Sequence, residues 1–227
     1  MNFKEHFIKV LEEQDKPKKN LDEYNEMLLQ NGWKRIGAGS YGVVYEKQGL
    51  NYVIKVYIND PSYSAYLDFI LENQNDPHLP KIRKVFVPYG SVSDGVEYGA
   101  VAIEKLKPVQ RINWRFSLVY RLKNAMVNIG VHNLSFEEFL EKVQKETKNN
   151  LLETIQNLTS KINTINYTKQ LRRLDYFIES NLPLLKSFYK LKKFLEEMNL
   201  EVYFDLHQGN FMIRPSTGEI IITDPIA

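Results

Sequence analysis

The sequence of 227 residues contains no cysteine and only four histidines. Without cysteine there is no disulfide, no thiol nucleophile and no cysteine-ligated zinc site. The four histidines are spread along the chain, which argues against a histidine-rich metal site as well. These absences exclude the disulfide scaffolds, the thiol enzymes and the common zinc proteins as explanations of this chain.

Long apolar runs and a large excess of one charge are absent too. No apolar run approaches membrane-spanning length, and the charged start M-N-F-K-E-H is not typical of a signal peptide, so we expect no membrane association and a cytoplasmic location. The 30 basic and 28 acidic residues leave a formal net charge of +2, which predicts no direct binding of nucleic acid. The 43% of hydrophobic residues suffice for one domain with a core or for two small lobes.

An acid and an amide five positions apart, Asp205 and Asn210, lie in the stretch V-Y-F-D-L-H-Q-G-N-F-M-I-R. In kinase-type phosphotransferases such an Asp accepts the proton of the attacking hydroxyl, and such an Asn binds Mg²⁺. A run of β-forming residues, I-I-I-T-D, then ends at Asp224, where the second metal-binding acid is expected. The pattern predicts a hairpin that brings Asn210 and Asp224 to strand ends on one metal site.

A glycine-rich turn and a strand lysine precede this loop. The stretch G-A-G-S-Y-G-V-V fits the pattern G-x-G-x-x-G-x-V, and V-I-K-V fits the strand that carries a phosphate-binding lysine. Glycines let backbone N–H groups approach phosphate oxygens. A dinucleotide site needs a helix after the glycines, whereas V-V-Y-E-K is typical of a strand. We therefore predict nucleotide contacts at Gly37, Ala38, Gly39, Ser40, Gly42, Val44 and Lys55.

Two further features follow in the same region. Asp60 and Pro61 are typical of a helix start, and the helix is expected to run to about Asn75. Either Asp68 or Glu72 on it, or neither, pairs with Lys55, because each also fits a solvated charge. Two strands then lead to Glu104 and Leu106, whose backbone is a candidate for reading the edge of the adenine.

The rest of the chain is predicted to be mainly helical. Two N-terminal helices, near 2–14 and from Asn20 to Gly32, are expected to pack on the next domain. Ser135 and Glu138 form a capping box, residues 145–165 suit a loose helix or a loop, and two amphipathic helices follow. The lysines Lys190, Lys192 and Lys193 are expected on a solvated face. The predicted domains are 1–31, 32–106 and 107–227.

Together these motifs resemble the protein-kinase-like superfamily, and more closely the early serine/threonine kinases of short-tailed bacteriophages. The resemblance is clearest over about residues 31–58 and 201–225. It implies an α+β, bilobal fold: an N-lobe with an antiparallel sheet and a helix, and a mostly helical C-lobe. Since the sequence stops at Ala227, soon after Asp224, we expect this C-lobe to lack an activation segment and later helices. The resemblance also implies ATP and Mg²⁺ as cofactors, Asp205 and Lys55 as catalytic residues, and phosphorylation of bacterial host proteins and of the kinase itself.

The chain also departs from ordinary protein kinases. Tyr203 and Phe204 stand where His-Arg is usual, and Pro225 follows the metal-binding Asp in place of Phe. His207 stands where a lysine near the γ-phosphate is usual, and it is either a phosphate donor or a loop residue bonded to backbone. The pattern D-x-H-x-G-N also resembles aminoglycoside-type kinases of small molecules. A weakly catalytic pseudokinase that serves as a binding module is the other alternative.

Overall fold

The computed structural model describes residues 21–39, 42–58, 61–93, 95–109, 126–158, 164–199, 204 and 208–225. These residues form two compact units. The first takes the described residues up to Gln74 together with Pro80–Lys105, and the second takes Asn75–Leu79 and the described residues from Leu106 onward. The predicted helix near 2–14 and the site residues Ser40, Asp205 and His207 lie outside the described residues. No helix within the described ranges is long and apolar enough to cross a membrane.

The first unit is built on a five-stranded antiparallel sheet. Its order is β1-β2-β3-β5-β4, and the strands are β1 (Lys34–Gly39), β2 (Gly42–Glu46), β3 (Tyr52–Ile58), β4 (Ile82–Ser93) and β5 (Val96–Glu104). The strands β2, β3 and β5 are rich in β-branched and aromatic residues, which suit a pleated, half-buried surface. The strand β3 is central and pairs along its whole length with β5.

Two helices belong to the first unit. Helix α1 (Leu21–Gln30) buries Tyr24, Met27 and Leu28 in a cluster with the sheet residues, as predicted for a helix packed on the next domain. The chain leaves α1 at Gly32, whose φ of +79° is a conformation that favours glycine, and Trp33 N then donates to Leu28 O at 3.0 Å. Helix α2 (Pro61–Glu72) begins at the predicted proline and ends earlier than predicted.

Three longer helices form the bulk of the second unit: α3 (Phe136–Leu158), α4 (Thr164–Ser180) and α5 (Leu182–Glu197). The predicted capping box starts α3, because Ser135 N donates to Glu138 Oε2 at 2.7 Å and Glu138 N donates to Ser135 Oγ at 3.2 Å. The region 145–158 is continuous helix rather than loop. Phe139, Phe177 and Phe188, each 0% exposed, lie in the common core of these helices.

A small sheet completes the second unit. Its order is β6-β7-β8, with β6 (Lys107–Pro108), β7 (Phe211–Ile213) and β8 (Ile220–Ile222), and both pairings are antiparallel. Phe211, Ile220 and Ile222 join the helical core, which fastens the sheet to the helices. The predicted fold class is confirmed: an antiparallel sheet with a packed helix in one unit, and a mostly helical second unit.

The prediction that Lys192 is solvated was wrong. Lys192 is 5% exposed, its Nζ donates to Val127 O, and it lies 5.2 Å from the centre of the Phe204 ring. Burial lowers the pKa of Lys192, and the nearby Glu196 carboxylate opposes that shift. The spacing of the lysines in the sequence of α5 does not show that Lys192 is buried and Lys190 exposed. The Lys190 side chain is 45% exposed and pairs with Asp76.

Candidate active site

The glycine-rich segment forms the hairpin of β1 and β2. Gly37 lies opposite Val44, Ala38 opposite Val43, and Gly39 opposite Gly42. A Cβ added to Gly37 or to Gly39 would meet no heavy atom within 4 Å, so the protein's own packing does not require glycine at either position. Neither has a positive φ. The open space beside this backbone is compatible with the close approach of a ligand.

Gly42 is different, because the protein itself occupies the space beside it. A Cβ at Gly42 would lie 3.0 Å from Val56 O and 3.4 Å from Lys55 Cε. The missing side chain therefore leaves room for the lysine chain of the neighbouring strand.

Lys55 lies near the middle of β3, as predicted. It faces Val44 of β2 and Val101 of β5 in the strand register. Its sequence neighbours Ile54 and Val56 are 0% and 1% exposed, and Lys55 itself is half-buried. Pairing on both sides holds the backbone of β3, which fixes the point from which the Lys55 side chain leaves the sheet.

Helix α2 approaches Lys55 with an aromatic ring. The Nζ atom of Lys55 lies 3.4 Å from the centre of the Tyr63 ring, within the range of a cation–π contact. The two acids proposed as partners, Asp68 and Glu72, are both exposed on α2, which favours the interpretation of each as a solvated charge. Sequence reasoning missed Tyr63; the signal available was the aromatic-rich start of the helix, P-S-Y-S-A-Y.

The hairpin of β7 and β8 brings Asn210 and Asp224 together along the chain's own hydrogen bonds. Asn210 closes a short 3-10 turn (Gln208–Asn210) and is 7% exposed. Phe211 pairs with Ile222, and Thr223 N donates to Asn210 O at 2.9 Å. Asp224 follows Thr223 directly and is half-buried. The hairpin therefore holds the backbone of the two strand ends side by side, and a shared metal site at Asn210 and Asp224 stays a prediction.

A buried arginine ties this hairpin to an earlier segment of the chain. Arg214 is 8% exposed and donates from Nη1 to Pro77 O at 2.6 Å and from Nη2 to Leu79 O at 3.0 Å. Its Nη1 also pairs with Glu219 Oε2 at 2.5 Å across the β7–β8 turn. The hydroxyl of Thr217 and the Arg214 guanidinium hold the pKa of Glu219 below its ordinary value.

The segment Asn75–Leu79 makes further bonds in the same unit. Ile222 N donates to His78 O at 2.9 Å, and His78 Nδ1 donates to Ile220 O at 2.8 Å, because a carbonyl oxygen can only accept. Asp76 accepts from Ser187 Oγ of α5 at 2.6 Å. We call Asn75–Leu79, with Arg214 and Glu219, the hairpin clamp. Sequence reasoning missed it, since its partners are more than 130 positions apart.

The predicted adenine-reading residues lie at the end of β5. The Glu104 side chain accepts from Lys81 N at 2.8 Å, and Glu104 N donates to Lys81 O at 2.9 Å. Lys105 N donates to Asn51 O at 2.9 Å. The division between the two units falls between Lys105 and Leu106.

The donor chemistry of the β7–β8 hairpin fits Mg²⁺. The amide oxygen of Asn210 and the carboxylate of Asp224 are hard oxygen ligands, and Mg²⁺ is usually bound by one or two protein groups together with substrate phosphates and water. Within the described residues there is no cluster of three or more His, Asp or Glu side chains that could hold a metal alone. A site of this kind relies on the phosphates for its remaining ligands.

Comparison with known families identifies the class and then the family. The family model described as "Bacteriophage T7 protein kinase 0.7" matches residues 10–227, which is nearly the whole chain. The match supports a phosphotransferase of the kinase type. More particularly, the chain belongs to the bacteriophage T7 protein kinase 0.7 family.

Three solved structures illustrate the similarity to individual proteins, each at low sequence identity. No curated protein sequence matches the chain. Among solved structures, the aminoglycoside phosphotransferase APH(3'')-Id from Streptomyces rimosus is 12% identical over 92% of this chain and 78% of its own, with a TM-score of 0.37. The PknI kinase domain of Mycobacterium tuberculosis is 10% identical over 85% and 59%, with a TM-score of 0.27. The GDP complex of a point mutant of aminoglycoside 2'-phosphotransferase-IIIa is 14% identical over 91% and 74%, with a TM-score of 0.35.

Proposed function

We propose that this protein is an ATP- and Mg²⁺-dependent serine/threonine protein kinase that phosphorylates bacterial host proteins and itself in the host cytoplasm. The observation that carries the proposal is the β7–β8 hairpin, where Thr223 N bonds to Asn210 O at 2.9 Å beside Asp224. Family membership supports the transfer of a phosphoryl group. The choice of protein over small molecule as acceptor rests on the family's description.

The proposed roles follow from the chemistry of each side chain. Asp205 accepts the proton of the acceptor hydroxyl as its oxygen bonds to the γ-phosphorus and the bond to the ADP leaving oxygen breaks. Lys55 binds the α- and β-phosphates, and His207 is a candidate donor to the γ-phosphate. Asn210 and Asp224 would hold Mg²⁺, which when bound supplies neutralisation of phosphate charge.

The nucleotide itself would contact the glycine hairpin and the residues around the end of β5. The backbone of Gly37, Ala38, Gly39, Ser40 and Gly42 would face the phosphates, and Val44 would pack on the adenine. The backbone of Glu104 and Leu106 would read the adenine edge. The unused space beside Gly37 and Gly39 supports this assignment, because neither glycine is needed for packing or for its backbone conformation.

The testing experiment is incubation with γ-labelled ATP and Mg²⁺, alone and with a bacterial lysate. Asp205→Asn, Asn210→Ala and Asp224→Ala are compared with the wild type, and Asp175→Asn serves as a matched control at a half-buried acid that pairs with Lys148. We expect label on this protein and on lysate proteins. It should fall by about 10²–10⁴-fold in Asp205→Asn, which removes the base, and remain in Asp175→Asn.

Other outcomes would change the assignment in defined ways. Transfer only to a small molecule of a metabolite extract would replace the protein acceptor with a small one, as the pattern D-L-H-Q-G-N allows. ATP binding without any transfer would leave a binding module. Undiminished label in Asp205→Asn would contradict the assigned base.

A further inference from the structure

The ammonium of Lys55 lies directly over the face of the Tyr63 ring. Nζ lies 3.4 Å from the ring centre, well inside the limit of about 6 Å for a cation–π contact. Tyr63 is 0% exposed, so the ring face that meets the ammonium is shielded from water. Such contacts are strongest where the cation is partly desolvated, as at this half-buried lysine.

The Tyr63 ring is itself held in place. The Tyr57 ring lies 4.8 Å from it and is tilted by 57°, and the Tyr66 ring lies 6.2 Å away, edge-on. Both neighbours are also 0% exposed. Tyr57 in turn lies over Gly99, the residue opposite it in β5, where an added Cβ would overlap the Tyr57 ring. The Tyr63 ring therefore presents one fixed face to Lys55.

The lysine chain is constrained at its other end. Pairing of β3 with β2 and β5 fixes its backbone, and the missing side chain of Gly42 leaves the space beside Cε. The side chain thus passes Gly42 of the glycine hairpin and reaches the Tyr63 ring. An aromatic face attracts a cation through its quadrupole without carrying a net charge. The charge of Lys55 is therefore steered by the ring but not neutralised by it.

We propose that Tyr63 is a positioning residue, whose ring face orients the Lys55 ammonium for binding the phosphates of a nucleoside di- or triphosphate. This inference rests on the proposed function, since it assigns Lys55 to phosphate. It differs from a purely structural role for Tyr63 in one respect: the loss of the ring should weaken nucleotide binding more than the accompanying loss of stability explains.

The test uses three variants of the full chain. Tyr63→Leu removes the ring, Tyr63→Phe keeps the ring and removes the hydroxyl, and Tyr24→Leu removes a ring that is 3% exposed from helix α1 of the same unit. The dissociation constant for ATP is measured by calorimetry, the melting temperature by circular dichroism, and KM and kcat by phosphate transfer. We expect Tyr63→Leu to weaken ATP binding by about 3- to 30-fold, and to raise KM for ATP more than it lowers kcat. Tyr63→Phe and Tyr24→Leu should stay within about twofold of the wild type in ATP binding.

A double-mutant cycle with Lys55→Met makes the test specific. Once the ammonium is gone, Tyr63→Leu should weaken ATP binding no further. Equal weakening by Tyr63→Leu and Tyr24→Leu at equal loss of melting temperature would overturn the proposal, as would a Tyr63→Phe variant as weak as Tyr63→Leu. If the wild type binds ATP without transferring phosphate, the proposed function fails while this coupling is still measured. If the wild type binds no ATP, both fail.

Discussion

The strand β3 and the β7–β8 hairpin, which carry the polar site residues, are held in place in different ways. The lysine strand β3 has seven residues and lies in the middle of a five-stranded sheet, between β2 and β5. The hairpin of β7 and β8, which carries Asn210 and Asp224 at its ends, has three residues in each strand. Its second strand, β8, lies at the edge of the sheet that the described residues form. Further hydrogen bonds join β8 to His78, and Arg214 in the hairpin turn to the carbonyls of Pro77 and Leu79.

This difference shows two ways of fixing a functional side chain. A central strand is fixed by many backbone hydrogen bonds and by apolar neighbours. The loss of one polar side-chain contact near it should therefore change stability little. A short hairpin has too few bonds of its own, and a few buried polar contacts at its turn must replace them. The β7–β8 hairpin should therefore be sensitive to the loss of polar contacts, and the strand of Lys55 to changes in packing.

The largest effect is expected from Arg214→Met. The substitution leaves Pro77 O and Leu79 O without their buried donor and removes the bond to the 33% exposed Glu219, which should lower the free energy of unfolding by about 2–4 kcal/mol. Urea denaturation measures the loss, and the Mg²⁺ concentration for half-maximal phosphate transfer should rise. Arg214→Lys, which keeps the charge and loses the fork, should lie between. A loss below about 1 kcal/mol would show that the clamp does not hold the hairpin.

The next effect concerns packing in the first unit. Gly99→Ala places a Cβ within the Tyr57 ring's own volume, and Tyr57 is confined by Tyr63, so the free energy of unfolding should fall by about 1–3 kcal/mol. In a Tyr57→Leu background the same change should be nearly neutral, because the ring is gone. Gly37→Ala, which meets no atom within 4 Å, is the matched control and should change stability by less than about 0.5 kcal/mol. Equal losses at positions 99 and 37 would contradict this account.

A smaller effect is expected on the acid side of the pH profile. The pKa of Glu219 in the folded protein lies below its ordinary value of 4.5, because Thr217 and Arg214 bond to its charged form. Its contribution to stability is thus complete above that value and is lost as the pH falls through the lower, folded pKa. Melting temperatures measured from pH 6 down to pH 3 should fall less steeply in Glu219→Gln. Parallel curves for the two proteins would remove Glu219 from the clamp.

The smallest effect is expected from a salt bridge in the first unit. Lys105 Nζ lies 2.5 Å from Glu46 Oε2, but the two side chains are 43% and 33% exposed. Lys105→Met should therefore change the free energy of unfolding by only about 0–1 kcal/mol, measured under the same urea conditions as Arg214→Met. A change as large as that of Arg214→Met would erase the proposed contrast between the two regions.

Much of the architecture could be predicted from local pattern. The strands around Lys55, the stop of α1 at Gly32 and the capping box at Ser135 all depend on residues within a few positions of each other. Local sequence pattern did not predict where α2 ends, how far α3 extends or that Lys192 is buried. Lys192 is buried where its ammonium meets Val127, 65 positions earlier in the chain, and the ring of Phe204, which follows α5.

The sequence by itself determined the class of fold, the order of the motifs and the family, because periodicity, turn residues and motif spacing are properties of short segments. It also determined that the strand ends beside Asn210 and Asp224 pair, since a hairpin joins residues that are near in the chain. Only the tertiary structure decided what holds these groups: Tyr63 against Lys55, and residues 75–79 against Arg214 and β8. Such contacts join separate elements, and their partners depend on how helices and strands pack rather than on any local pattern.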